Sequence, residues 1–239
     1  RDFCLSRGLG DVYKRQVNTL PEVLKPTAEY IRIKCLFDCY KEDPDVYFWQ
    51  QTGEETYISL SDSNMTISYG GGNTAELAGF IKMLNPRTLF TDSATFEKLG
   101  IQPDETVEVM VRCADTSPLS DMGDRLSSKD IYEVFSAAGL DVPDYPHFAV
   151  DYCRRLNRGG ASLWGIKNKC AAVSFNTGNY ALLCGLASLE KGKGGQALKA
   201  IICKNSGRQM LLCCKPPLVR FYEKYGFKRL YTAGYKVRK

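Results

Sequence analysis

The sequence predicts an α/β (α+β) fold with a mixed, mostly antiparallel central sheet flanked by helices. Three observations predict it: short apolar segments typical of strands, glycine turns that lead into amphipathic helices, and the same order of elements in both halves of the chain. The 239 residues contain 44% hydrophobic and 25% charged residues, close to the globular average, which excludes collagen, coiled coil and disorder. This length suits one large domain or two small ones.

The first half contains the elements of one α/β unit. Asn73, with Glu76 three residues on, predicts a capping box that starts a helix after the triple glycine Gly70, Gly71 and Gly72. That helix ends before Pro86. The remaining predicted elements are a helix over 27–40, strands over 46–50, 56–60, 65–69, 87–91 and 107–113, and a short helix over 93–99.

The second half predicts a similar series. Ser127 with Asp130 caps a helix that stops at Gly139, and Pro217 takes the first position of a late helix. Residues 176–179 form a turn between two strands. The predicted helices are 127–138, 146–156, 196–204 and 217–225, and the predicted strands are 161–166, 171–175, 180–188, 209–214 and 229–235.

The two halves look like a duplicated unit. Each reads three strands, a glycine turn, a helix, a strand, a short helix, a glycine and a strand, and residues 96–101 (FEKLGI) parallel residues 222–227 (YEKYGF). A chance likeness between two α/β segments is the alternative. Residues 17–126 have 9 Lys and Arg against 18 Asp and Glu, a balance of −9, whereas 127–239 have 19 against 7, or +12. Two domains are therefore predicted, over 17–126 and 127–239, joined by a polar linker over 114–130.

Residues 1–16 are treated separately because they have no initiator Met and no clear period. They resemble translated library-adapter sequence, so we interpret them as a non-native leader. The ten cysteines contain no CxxC and most lie in apolar runs, which predicts reduced, buried thiols in a cytoplasmic protein. With His147 as the single histidine, no metal site is predicted. No apolar run reaches the roughly 18 residues of a membrane span, so no membrane partner is predicted.

The glycine turn of the second half has the composition of an anion site. Glycines between an apolar strand and a helix let backbone N–H groups approach a ligand, and the start of a helix favours negative charge. Lysines add charge for a phosphate or pyrophosphate. A solvated, flexible loop is the alternative, and neither a P-loop nor a complete dinucleotide fingerprint is present. The turn consists of Lys191, Gly192, Lys193, Gly194, Gly195 and Gln196.

Together, KGKGGQ over 191–196 and FYEKYGF over 221–227 make the second half resemble the GCN5-related N-acetyltransferase (GNAT) superfamily. The resemblance implies that the glycine turn binds the pyrophosphate of acetyl-CoA as co-substrate. It implies that backbone N–H groups near Leu186, Ala187 and Ser188 bind the pantetheine arm and polarise the thioester carbonyl. Tyr222 matches the family tyrosine that faces the CoA sulfur as general acid. A primary amine, in a small molecule or a peptide, then attacks directly in a ternary complex.

Several further hypotheses accompany the interpretation of the second half as an acetyltransferase. Phe96 stands at the position parallel to Tyr222, and YGGGN over 69–73 carries no lysine, so the first half is predicted to be a degenerate copy that does not turn over. Glu190 and Asp151 are candidate bases by position alone. A non-catalytic acyl-CoA-binding pseudoenzyme is the second hypothesis. A basic nucleic-acid-binding module is the third and weaker one, because basic and aromatic residues mix in the second half. The sequence does not define an oligomeric state.

Overall fold

The computed structural model describes residues 13–15, 17, 19–21, 26–115 and 126–238. The chain forms two compact units, unit 1 (Arg1–Val109 and Leu230–Lys239) and unit 2 (Met110–Arg229). Most of the last strand of the chain therefore belongs to unit 1. Most of the predicted linker, residues 116–125, lies outside the described residues.

Unit 1 contains all or most of seven strands of a mixed sheet, in the order β1-β2-β3-β4-β5-β11-β6. Strands β4 and β5 pair in parallel, whereas the pairs β1–β2, β2–β3, β3–β4 and β5–β11 are antiparallel. The strands are β1 (Tyr13–Arg15), β2 (Tyr47–Gln51), β3 (Tyr57–Ser61), β4 (Asn64–Ser68), β5 (Thr88–Asp92), β6 (Glu105–Arg112) and β11 (Lys228–Val237); the helices are α1 (Ala28–Tyr40), α2 (Thr74–Leu84) and α3 (Ser93–Leu99).

Strand β1 lies inside the segment that the sequence analysis interprets as a non-native leader. Its residues 13–15 pair with residues 49–51 of β2. The rest of residues 1–16 lies outside the described residues. The excluded segment therefore adds one edge strand to unit 1.

Local signals explain why the helices of unit 1 begin and end where they do. Thr27, Asn73 and Asp92 cap α1, α2 and α3 by accepting backbone N–H groups of the first turn. Asn85 and Gly100 end α2 and α3 in the left-handed conformation. The buried faces of these helices and strands meet in apolar cores that contain Ile58, Ile67, Leu77, Phe80, Leu89 and Phe96 and, beside α1, Ile33, Phe37 and Phe48.

Unit 2 has a sheet in the order β10-β9-β8-β7, with β9 and β10 parallel and the other pairs antiparallel. A short 3₁₀ turn, Pro216–Leu218, leads into its last helix. The strands are β7 (Ala161–Ile166), β8 (Cys170–Thr177), β9 (Tyr180–Ser188) and β10 (Gln209–Cys214); the helices are α4 (Ser128–Ala137), α5 (Tyr145–Asn157), α6 (Lys193–Lys204) and α7 (Val219–Glu223).

The start of α4 has the capping box that the sequence predicts. The Asp130 backbone N–H donates to Ser127 Oγ, and the Ser127 backbone N–H donates to Asp130 Oδ2 at 2.9 Å. Hydrogen bonds from Ser127 and the nearby Lys167 ammonium hold the pKa of Asp130 well below its usual range. Helices α4 and α5 pack on one face of the sheet around Phe135 and Phe148, and α6 packs in a separate core.

The predicted fold class is confirmed, since a mixed, mostly antiparallel sheet flanked by helices is present. Both series, β2 to β6 and β7 to β11, follow the repeated order of elements that the sequence predicts. Two helices differ from their predicted bounds more than the other elements do. Helix α6 begins at Lys193 rather than 196, because two glycines join its first turn, and the predicted helix over 217–225 is a 3₁₀ turn followed by the five residues of α7.

Across the part of the chain that the structure describes, no helix is long and apolar enough to cross a membrane. The same residues contain no group of three or more His, Cys, Asp and Glu side chains that could hold a metal ion. Nine free cysteines are described, and Cys4 lies outside the described residues. Cys35, Cys39, Cys170 and Cys214 are buried as predicted, whereas Cys203 and Cys213 are partly buried and Cys113, Cys153 and Cys184 are exposed.

Candidate functional site

The two parallel strands of unit 2 separate at a β-bulge. Strand β9 pairs with β10 only as far as Leu183 and Leu212, although β9 continues to Ser188. At the same point, the register between β8 and β9 shifts, so that Val173 lies opposite Gly185 and Ser174 lies opposite Leu183. A bulge bends its strand and is frequent beside active sites. Residues 184–188 therefore present one backbone edge that β10 does not cover.

Two of the three predicted pantetheine-binding residues direct their N–H groups toward that edge. The Leu189 N–H donates to the Lys169 carbonyl at 2.7 Å, on the side of β8. Because hydrogen-bonding direction alternates along an antiparallel strand, Ala187 also faces β8, whereas Leu186 and Ser188 face away from it. The Ser188 side chain donates to the Glu190 carbonyl at 2.6 Å and does not occupy the edge.

The N-terminus of α6 follows directly and has no side-chain cap. Gly192 precedes the helix with φ +86°, in the left-handed region that favours glycine. No acidic residue lies in the first turn, and an alanine at position 194 would meet nothing nearer than Ser188 Cβ at 3.5 Å. The first turn therefore combines unneutralised helix-dipole charge with room for a ligand close to the backbone.

The charged side chains of the turn are arranged around this N-terminus. Lys191 is exposed, and Lys193 is partly buried with its ammonium donating to Gln196 Oε1 at 3.1 Å. That hydrogen bond keeps Lys193 beside the first helical turn. The glycine turn, Lys191 to Gln196, is thus one contiguous site with positive charge and backbone donors, which is the chemistry that binds phosphate groups.

Tyr225 belongs to this site, although the sequence analysis assigns it no role there. A Cβ added to Gly195 would lie 2.1 Å from the Tyr225 hydroxyl, so this tyrosine packs directly on the first turn of α6. A larger residue at position 195 would therefore require the Tyr225 side chain to move. A buried glycine in a first helical turn signals close approach by another group, but the sequence does not say which group.

Tyr222 lies in the apolar core beneath α6. It is 8% exposed, shares a core with Ala197 and Leu198, and packs edge-on against Phe227 at 5.9 Å. Burial, with a smaller contribution from Cys214, raises the pKa of its phenol to about 12. No hydrogen bond joins its hydroxyl to any of the described residues. The phenol is therefore neutral throughout the ordinary pH range and keeps an unused donor.

The corresponding turn of unit 1 is closed. The Asn73 side chain accepts the N–H groups of Ala75 and Glu76 at 3.0 and 3.3 Å, and Glu76 adds negative charge to the first turn of α2. The triple glycine packs on the β2–β3 hairpin, where a Cβ at Gly72 would lie 2.4 Å from Gln51 Oε1. These glycines serve close backbone packing, and the turn offers an anion no favourable charge.

The two candidate bases are engaged in ion pairs. Glu190 contacts Lys169 at 3.2 Å, and Asp151 contacts Arg155 at 2.8 Å. In unit 1, Phe96 occupies the place parallel to Tyr222 and is 1% exposed in the core. It has no proton to donate.

Comparison with solved structures shows a GNAT fold. A GCN5-related N-acetyltransferase from Sphaerobacter thermophilus matches with a TM-score of 0.55 at 12% identity, over 91% of this chain and 96% of that one. A putative acetyltransferase from Pyrococcus horikoshii matches with a TM-score of 0.54 at 10% identity, covering 87% and 78%. A tandem GNAT protein from the clavulanic acid biosynthesis pathway, solved without AcCoA, matches with a TM-score of 0.52 at 14% identity, covering 91% and 89%.

No protein-family model matches the sequence, and no curated protein matches it significantly. The assignment of a GNAT fold therefore rests on the three-dimensional similarity to solved structures alone. It agrees with the resemblance drawn from the motifs at 191–196 and 221–227.

Proposed function

We propose that the chain is an acetyltransferase of the GNAT superfamily, in which unit 2 transfers an acetyl group from acetyl-CoA to a primary amine. The contrast between the two helix N-termini carries the proposal. Helix α6 is uncapped and flanked by lysines, whereas α2 is capped by Asn73 and carries Glu76. A diphosphate would gain backbone hydrogen bonds and favourable charge at α6 and would be repelled at α2.

In this proposal, the uncovered edge of β9 holds the pantetheine arm. The N–H groups of Leu186 and Ser188 face away from β8, so they are available as donors to the amides of the arm and to the thioester carbonyl. Donors placed at the carbonyl oxygen stabilise the charge that develops there as the amine attacks. Ala187 supports this edge through its pairing with β8.

The reaction forms a C–N bond and breaks the C–S bond. The attacking amine loses a proton, and the CoA thiolate takes one up. Tyr222 would donate a hydrogen bond to that sulfur. Full proton transfer from a phenol of pKa about 12 to a thiolate near 8.5 is uphill by about 5 kcal/mol. Tyr222 therefore acts chiefly as a hydrogen-bond donor that stabilises the leaving thiolate. Because Glu190 and Asp151 are ion-paired, the proposal assigns the amine proton to solvent.

Thermal denaturation with CoA and acetyl-CoA tests the proposed site. A ligand that binds only the native state stabilises it by about 2.7 kcal/mol at one hundred times its Kd, so the melting temperature should rise by several degrees. Replacing Lys193 by Glu places an acidic residue in the first turn of α6 and should abolish the rise. The matched control is Lys199→Glu, an exposed position later in the same helix, which should keep it. No rise for the native chain would refute the proposal.

A second candidate function is acyl-CoA binding without transfer. The burial of Tyr222 favours it, because a phenol held at pKa about 12 is a poor proton donor. Thiol release from acetyl-CoA across a panel of primary amines separates the two functions. CoA-dependent stabilisation with no thiol release for any amine would support the binding protein.

A further inference from the structure

Unit 1 contains a cavity of about 360 Å³ that the proposed function does not use. Strands β4 and β5 pair in parallel only as far as Thr66 and Phe90, and their carboxyl ends lead to this cavity. Helices α1 and α3 and strand β11 supply the remaining walls. The residues important for its chemistry are Thr27, Glu29, Ser68, Asp92, Lys98 and Tyr231. Its volume falls within the range of small-molecule pockets.

Glu29 is a buried carboxyl in the cavity wall. It is 2% exposed, and the Tyr231 hydroxyl donates to its Oε2 at 2.6 Å. The Ala28 N–H in turn donates to that hydroxyl at 2.8 Å, which fixes the tyrosine. The other oxygen, Glu29 Oε1, is buried and has no hydrogen-bond partner among the described residues. A buried acceptor without a donor is costly, and a ligand that supplies the donor recovers that cost.

The other charged groups of the cavity have different surroundings. Asp92 accepts the Thr95 N–H at 2.9 Å and the Thr95 hydroxyl at 2.5 Å, so each of its oxygens is engaged by the start of α3. Lys98 is exposed, with its ammonium 4.8 Å from the centre of the Tyr69 ring. The cavity therefore has an unsatisfied carboxyl oxygen in its wall and an accessible cation at its edge.

We propose that this cavity binds a small molecule whose primary ammonium group donates to Glu29 and whose anionic group lies toward Lys98. An ammonium supplies the missing hydrogen-bond donor and adds positive charge beside the buried carboxylate. The hydroxyl groups of Thr27 and Ser68 add polar contacts beside Glu29. The site goes beyond the proposed transferase function, because all of its residues belong to unit 1 and binding needs no acetyl-CoA.

Calorimetric titration of the full chain with three probes of similar length tests the site. The probes are 4-aminobutyrate, butylamine and 1-butanol. The expected order of affinity is 4-aminobutyrate above butylamine, with butanol at least tenfold weaker than butylamine because it cannot form the charged hydrogen bond. Equal affinity for butylamine and butanol on the native chain overturns the proposal without any variant.

Two test variants and one control variant distinguish this cavity from an amine-acceptor site in unit 2. Glu29→Gln keeps the shape and an acceptor for Tyr231 and should weaken butylamine binding at least tenfold, whereas Glu97→Gln, exposed on α3 outside the cavity wall, should leave it unchanged. Lys98→Met changes an exposed position and should remove the preference for 4-aminobutyrate over butylamine. If Glu29→Gln binds butylamine as the native chain does, the proposal is wrong. If Glu29→Gln does not fold, an unchanged preference in Lys98→Met refutes it.

Discussion

Replacing Tyr222 by Phe tests the proposed catalytic role of its hydroxyl separately from folding. Tyr222 is 8% exposed and its hydroxyl makes no hydrogen bond to the described residues, so removing the hydroxyl leaves no partner unsatisfied. The ring contacts with Phe221 and Phe227 remain. The free energy of unfolding should therefore change by less than about 1 kcal/mol. In contrast, a donor to a leaving group contributes about 10²-fold to the rate, equivalent to about 2.7 kcal/mol of activation free energy.

The assay is the rate of thiol release from acetyl-CoA with a reactive amine, measured beside the Kd for CoA and urea unfolding. Tyr222→Phe should lower kcat by about 100-fold and leave the Kd and the unfolding midpoint unchanged. Tyr132→Phe makes the same chemical change on α4 of the same unit, where the ring contacts Tyr145 and Phe148, and should leave kcat unchanged. If Tyr222→Phe keeps the native kcat, the role given to this hydroxyl is refuted.

Three further outcomes are expected. Because the Tyr222 pKa is about 12 in the folded chain and 10 when unfolded, stability should fall between pH 10 and pH 12 by up to about 3 kcal/mol, and urea unfolding of Tyr222→Phe should lack this part of the decline. The methyl group of Gly194→Ala meets only Ser188 Cβ at 3.5 Å, so the substitution should raise stability by about 0.4–1 kcal/mol. It should also weaken CoA binding about tenfold in calorimetry, because the methyl group occupies space beside the backbone donors. Unchanged CoA affinity would place the diphosphate elsewhere. Ser127→Ala removes the α4 cap and should cost about 1 kcal/mol in urea unfolding, and a loss below 0.3 kcal/mol would contradict the capping box.

Much of the candidate site could be predicted from local sequence. Glycines and lysines in the order KGKGGQ indicate an anion-binding turn wherever a strand precedes and a helix follows. The sequence also predicts that Asn73 caps α2 and that α6 has no capping side chain. The role given to Tyr222 came from a motif resemblance, and its burial and raised pKa depend on the core around it.

Other parts depend on contacts between distant residues. The bulge at Cys184 arises from register with β8, and no residue pattern in β9 marks it. The contact between Tyr225 and Gly195 joins positions 30 apart. Glu29 looks like an ordinary charged residue in the first turn of α1 until Tyr231, 202 residues away, packs over it. Burial of a carboxyl is a property of its neighbours and cannot be inferred from its own helix.

By itself the sequence determined the local elements: periodicity, caps and glycine turns establish which segments become helices or strands, and their repeated order defines the fold class. Tertiary structure alone decided which segments pack together. It placed the final strand, from Leu230 onward, in unit 1, separated β9 from β10 beyond Leu183, and enclosed Glu29 beside a cavity. The physical reason is range, because capping and periodicity act within a few residues, whereas strand pairing and burial join residues that the chain keeps far apart.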